Sequence, residues 1–194
     1  MSKNPATTSE RPSLSLVRRA RKINRLLAET YPDADCELDF DNPFQLLVAT
    51  VLSAQSTDRR VNSYAAFCLK KKTDPIAMAG ADRAELEEVI RPTGFFRAKA
   101  NHLLGLAAVL AAEYDGRVPD DMDALVKLPG VGRKTALVVL GNAFGHPGIT
   151  ADTHFMRLAE RFAWISPDAA LNPVKVEKQV AALFEPEDWT MLSH

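Results

Sequence analysis

Leu128-Pro129-Gly130-Val131-Gly132-Arg133-Lys134-Thr135 joins a short helical stretch at 121–127 to a second helix over about 133–143. Two glycines in so tight a connection permit positive φ and let a ligand approach the backbone closely. Amides there, with the N-terminus of the second helix, can receive a phosphate through unpaired N–H groups and a favourable dipole. Pro129 stiffens the turn, and Leu128 and Val131 are placed to pin it to a core. Taken alone, such a run is more often an ordinary αα-hairpin whose glycines merely turn the chain.

The surrounding sequence reads as helix almost throughout. From Pro43, apolar residues recur at Phe44, Leu47, Val48, Val51 and Leu52, the stripe of an amphipathic helix with proline in its first turn. Val61, Tyr64, Ala65, Cys68 and Leu69 make a second stripe, and Gln55-Ser56-Thr57-Asp58 between the two offers a capping residue. Further starts stand at Asp74-Pro75, at Asp82 with Glu85 three residues on, and at Asn172-Pro173. Tyr31-Pro32, Pro92-Thr93-Gly94, Asp115-Gly116 and Gly145-His146-Pro147-Gly148 are stops. No sustained alternation bounded by hairpin signals occurs, so the expected class is all-α, with some ten short helices. Residues 1–12 are polar and unpatterned, the composition of a flexible arm.

Composition bounds the function. The chain has 194 residues, 46% hydrophobic and 25% charged, which excludes fibrous and wholly disordered classes. No apolar run reaches the ~18 residues of a membrane span, and the N-terminus lacks a signal peptide's apolar core, so a cytoplasmic protein is expected. Cys36 and Cys68 stand far apart, without the C-x-x-C spacing of a structural zinc site, and read as buried thiols. No metal site is indicated. The formal charge of −1 conceals an asymmetry, because residues 11–28 carry Arg11, Arg18, Arg19, Arg21, Lys22 and Arg25 and no acid. That segment suits phosphate contact or a solvated helix face equally well. Lys70-Lys71-Lys72 reads as a solvated helix end.

The run at 128–135, with three further segments in order, resembles the helix-hairpin-helix DNA glycosylases of the endonuclease III family. Leu52-Ser53-Ala54-Gln55-Ser56-Thr57-Asp58 looks like that family's early loop, Thr93-Gly94-Phe95-Phe96-Arg97-Ala98-Lys99-Ala100 like its central loop, and Ala151-Asp152-Thr153-His154-Phe155-Met156-Arg157 like its catalytic aspartate segment. The resemblance runs from about residue 14 to the end. It implies a six-helix barrel domain over 36–146 that contains the hairpin (about 121–143), a second helical domain from 13–35 plus 147–194, and a DNA-binding cleft between them. It further implies a monomer that removes oxidised pyrimidines from damaged double-stranded DNA and nicks the strand in the bacterial cytoplasm.

Lys134 starts the second hairpin helix, where the dipole disfavours a cation and so favours the neutral amine a nucleophile needs. Phosphate contact is the alternative for a lysine there, and the two roles can coexist. In the family, the corresponding lysine attacks the sugar carbon bearing the damaged base and forms a Schiff base that permits strand-nicking elimination. Adenine-mismatch relatives carry other residues at this place. Asp152 is a natural N-cap for the helix of Phe155, Leu158, Ala159 and Phe162, while a carboxylate facing a ribose can also stabilise oxocarbenium-like charge and assist deprotonation of the amine. The resemblance gives Asp152 that electrostatic and general-base role.

A base inside a duplex must be flipped out and its gap filled. Gln55 resembles the family's intercalating glutamine, and is otherwise a polar residue in a helix-terminal turn. Phe95 or Phe96 stands where relatives insert an apolar wedge; core packing is the alternative for both, and Phe95 is the choice. Leu128, Gly130, Val131, Gly132, Arg133 and Thr135 are carried over as the DNA-binding hairpin. His154, on one helix face with Arg157, suits pocket lining or phosphate contact as well as a structural histidine.

The chain departs from the family in one respect. Relatives close with four cysteines that hold a [4Fe–4S] cluster, and none of the four is present here. The sequence ends at Trp189-Thr190-Met191-Leu192-Ser193-His194, where relatives begin the helix leading into the cluster loop. The expectation is therefore a truncated or partial chain without a cofactor, the cluster returning only with a segment that supplies its cysteines. That departure keeps a catalytically inactive helix-hairpin-helix DNA-binding protein as an alternative, beside a monofunctional or mismatch glycosylase that Lys134 argues against.

Overall fold

The computed structural model describes residues 11–71 and 74–194, with the side chains of residues 58 and 66–71 outside that description. Among the described residues there is no strand; eleven α-helices and three 3-10 turns carry the chain, the all-α class that the sequence punctuation predicts. Most of the arm expected at 1–12, Lys72, and the side chains of Cys68, Lys70 and Lys71 lie outside the described residues. No described helix is long and apolar enough to cross a membrane.

Helix starts follow from the capping chemistry of the sequence. The side chains of Asn42, Asp74, Asp82 and Asn172 accept from the N–H groups of Gln45, Ala77, Glu85 and Lys175 at 3.0, 2.9, 2.8 and 3.1 Å, each satisfying an orphan donor of a first turn. The stops are equally local. Tyr31 closes the first helix, and Gly145, at φ +72°, closes the helix after the hairpin with the His146 N–H on the Leu140 carbonyl at 3.0 Å.

The chain divides into two units. Asp35–Thr150, with His194, holds α2 (Pro43–Ser53), α3 (Asp58–Lys71), α4 (Pro75–Ala79), α5 (Arg83–Ile90), a 3-10 turn at Arg91–Thr93, α6 (Phe96–Glu113), α7 (Met122–Leu125) and α8 (Arg133–Phe144). At its centre α2 packs on α3, α6 and α8. The sequence reading of α2 as amphipathic is too narrow. Leu46, Ala49 and Thr50, off the apolar stripe, are buried with Phe44, Leu47, Val48, Val51 and Leu52, as in a helix enclosed on all sides. The Thr50 hydroxyl manages this by donating to the Leu46 carbonyl at 2.7 Å. With Leu46, Leu47, Leu52, Leu103, Leu106, Leu110 and Leu125 fully enclosed, a leucine-to-alanine change here costs about 2–5 kcal/mol. Cys36 packs half-buried against this core.

The other unit joins the described residues up to Ala34 to Ala151–Ser193. It contains α1 (Leu14–Thr30), α9 (Thr153–Arg161), α10 (Pro173–Ala181), 3-10 turns at Pro167–Ala169 and Pro186–Asp188, and α11 (Trp189–Leu192). Its core is aromatic: Trp164 lies 5.0 Å from Phe162 and 5.2 Å from Phe184 between ring centroids, with Phe155, Ala159, Val176, Val180 and Leu183 buried. Part of the basic amino-terminal segment serves this unit. Arg19 donates to the Ala163 carbonyl at 2.9 Å, and Arg21 to the Leu183 carbonyl at 3.3 Å and to Glu185 at 2.6 Å, so for these two arginines the contact is intramolecular.

Candidate active site

The hairpin is built from both sides of its turn. Asp121 caps α7 through the Ala124 N–H at 2.8 Å, Leu125, Leu128 and Val131 are buried, and the Val131 N–H closes the turn on the Leu128 carbonyl at 3.1 Å. Beneath it lies α6. A Cβ at Gly105 would sit 3.2 Å from Pro129, and one at Gly130 would sit 2.5 Å from Cγ of His102. Gly130 has φ +77°, so both conformation and contact require glycine there. Of the two glycines that permit positive φ, Gly130 alone uses it; Gly132 serves differently. At φ −91° it is the N-cap of α8, with no side-chain cap and open space where a Cβ would stand. The first turn of α8 begins with exposed Arg133 and Lys134 and half-buried Thr135, and the first N–H groups of a helix have no acceptor within that helix. Dipole and donors together make this end receptive to a phosphate.

Two other loops of the same unit carry strained tips. Gln55 has φ +55° and Phe95 φ +48°, two of four non-glycine residues with positive φ among those described. Such a conformation costs on the order of 1–3 kcal/mol for each residue and recurs at functional loops. Gln55 is exposed. Phe95 and Phe96 separate cleanly: Phe95 is 66% exposed, whereas Phe96 packs against the core with the guanidinium groups of Arg91 and Arg97 at 5.3 and 5.5 Å from its ring centroid.

Behind these tips stands a residue that sequence reasoning missed. Lys99, on the first turns of α6, is 4% exposed and is the only charged residue buried among the described ones. Its Nζ donates to the Leu52 carbonyl and to the Thr93 carbonyl, both at 2.8 Å. Desolvation draws the Lys99 ammonium below the ordinary lysine value. No pattern signals this burial, because a lysine among helical residues ordinarily keeps its head in water.

Asp152 belongs to the other unit. It is the N-cap of α9, half-buried, with Oδ1 accepting from the Phe155 N–H at 2.8 Å. The capping role read from the sequence is thus present, and it fixes the orientation of the carboxylate. His154 and Arg157 lie exposed on the following turns. The structure therefore gathers Gln55, Phe95 and the hairpin residues in one unit, and Asp152 with His154 in the other.

The residues present do not fit a [4Fe–4S] cluster, which takes four thiolates. The sequence contains two cysteines, and among the described residues no three His, Cys, Asp or Glu side chains gather as a metal site.

Comparison with known proteins identifies the family and the fold. Residues 48–186 match the HhH-GPD superfamily base excision DNA repair protein family. The chain is 44% identical over 184 residues to the endonuclease III of Synechocystis sp., covering 94% of this chain and 83% of that one. It is 40% identical over 171 residues to the endonuclease III of Bacillus subtilis, covering 87% and 76%. Among solved structures, it matches an endonuclease III trapped as a covalent intermediate with DNA, with a TM-score of 0.86 and 41% identity over 92% of this chain and 83% of that one. A thermostable thymine-DNA glycosylase, 20% identical with a TM-score of 0.74, shares the fold.

Proposed function

This chain belongs to the HhH-GPD superfamily of base excision DNA repair proteins, and we propose that it is a bifunctional DNA glycosylase and AP lyase acting on oxidised pyrimidines in duplex DNA. The observation that carries the reading is Lys134, exposed on the first turn of α8 directly after the glycine turn. A relative that forms a covalent intermediate with DNA, at 41% identity, supports the same reading.

In the proposed reaction, the amine of Lys134 attacks C1′ of the flipped nucleotide as the glycosidic bond breaks, and the base leaves with one of the amine's protons. The sugar then opens as the C1′–O4′ bond breaks, and O4′ takes the second amine proton, which gives the Schiff base. Loss of a C2′ proton then expels the 3′ phosphate and nicks the strand. Asp152 carries the electrostatic role, stabilising positive charge on the sugar and assisting deprotonation of the amine. The hairpin amides hold a phosphate, Gln55 fills the gap in the stack, and Phe95 wedges beside the opposite base. The protein acts as a monomer, on the bacterial nucleoid, and the two cysteines of this chain hold no cluster of their own.

Strand nicking tests the function. A duplex with one thymine glycol should lose the base and be nicked at that site, while an undamaged duplex stays intact. Base loss without nicking would make the chain a monofunctional glycosylase, and binding without base loss a DNA-binding module.

A further inference from the structure

Burying a charge is unfavourable unless it is held by good partners, and an apolar residue of similar volume usually packs as well or better. Lys99 is buried all the same, and carbonyl oxygens rather than a carboxylate receive its charge. Those two oxygens have a common character. Leu52 lies in the last turn of α2, and Thr93 ends the 3-10 turn before α6; each presents an outward carbonyl at the negative end of a helix. One ammonium therefore caps two helical segments far apart in sequence, and the two carbonyl oxygens lie within twice 2.8 Å of each other. An ammonium suits this better than a guanidinium, because its donors radiate from one atom instead of lying in a planar fork.

The chain beyond each anchored carbonyl runs directly to a strained, exposed tip. Gln55 is three residues after Leu52, and Phe95 two after Thr93. The anchors themselves are rigid: Leu52 is fully buried, and Thr93 is 1% exposed with its hydroxyl donating to the Ile90 carbonyl at 2.8 Å. We propose that Lys99 is a positioning residue that locks the Gln55 and Phe95 loops into one rigid element, so that plug and wedge enter the duplex together. The inference rests on the functional reading above, in which those two residues fill and wedge the stack.

The test compares duplex with single-stranded substrate, because a single strand has no stack to fill. For Lys99→Met, base release from a thymine glycol duplex should fall on the order of a hundredfold in kcat, the scale of a misplacement near 1 Å. Borohydride trapping on a single-stranded abasic oligonucleotide should stay within about twofold of wild type. The fluorescence rise of 2-aminopurine placed opposite the lesion should disappear in the same variant. Lys99→Gln, which keeps a donor for one carbonyl, should fall between the two and carries the comparison if Lys99→Met does not fold. A duplex-to-single-strand ratio equal to wild type in a folded variant overturns the proposal. A wild-type chain that traps on neither substrate overturns the underlying functional reading instead.

Discussion

The imidazole of His102 packs against the backbone of Gly130 so closely that a Cβ on the glycine would stand 2.5 Å from Cγ and 2.6 Å from Cβ of the histidine. Those are the inner atoms of the side chain, which cannot swing away without moving α6 or the hairpin. Gly130→Ala should therefore lower stability by about 1–3 kcal/mol, combining strain at positive φ with the clash. Gly132→Ala, at ordinary φ and facing open space, should cost less than about 1 kcal/mol as a poorer N-cap. Denaturant unfolding of both variants checks the contrast.

The adjacent phenylalanines should separate in the opposite sense. Phe96→Ala removes a ring packed against the core and beside two guanidinium groups, at a cost of about 1–2 kcal/mol for a part-buried aromatic. Phe95→Ala should leave the melting temperature unchanged and weaken binding to a lesion-containing duplex by about tenfold, as expected for an exposed wedge. Calorimetry and fluorescence anisotropy read the two effects independently.

Much of this architecture is legible in the sequence because it is set locally. Asp74, Asp82 and Asn172 cap their helices through their own following amides, and Gly145 ends α8 by its own φ; no distant residue is needed. The hairpin is legible for the same reason, since Pro129, Gly130 and the flanking Leu128 and Val131 fix its turn. What escapes is set by tertiary contact. Leu46, Ala49 and Thr50 do not signal that α2 is enclosed on every side, and nothing marks Lys99 as buried, because its two acceptors are backbone atoms 47 and 6 residues away. The two-residue ambiguity at Phe95 and Phe96 is resolved by where α6 begins, and of the two hairpin glycines that permit positive φ Gly130 alone uses it, because Gly132 starts a helix instead of turning one.

The lowered proton affinity of Lys99 has a definite sign in stability. Desolvation holds the folded value below 10.5, so between that folded value and 10.5 the unfolded chain binds the proton and the folded chain sheds it. Stability contributed at this site therefore rises with pH through that window. Subtracting the melting curve of Lys99→Met from that of wild type across alkaline pH should leave a rising difference; a flat difference would mean the amine stays charged throughout.

The N-cap role of Asp152 and the chemical role proposed for it can be split by substitution. An asparagine in its place would still cap α9, so Asp152→Asn should unfold like wild type while base release falls on the order of a hundredfold. Asp152→Ala should lose activity to a similar extent and also about 1 kcal/mol of stability with the bond to the Phe155 N–H. Equal activity of wild type and Asp152→Asn in single-turnover base release would remove the carboxylate from the mechanism.

The central claim is that Lys134 forms the covalent bond to DNA. Borohydride trapping of the wild-type chain and of Lys134→Gln on one abasic duplex, with helicity matched by circular dichroism, tests it directly. A trapped adduct is expected with wild type and none with Lys134→Gln; an adduct of equal yield from the folded variant would contradict the assignment of Lys134.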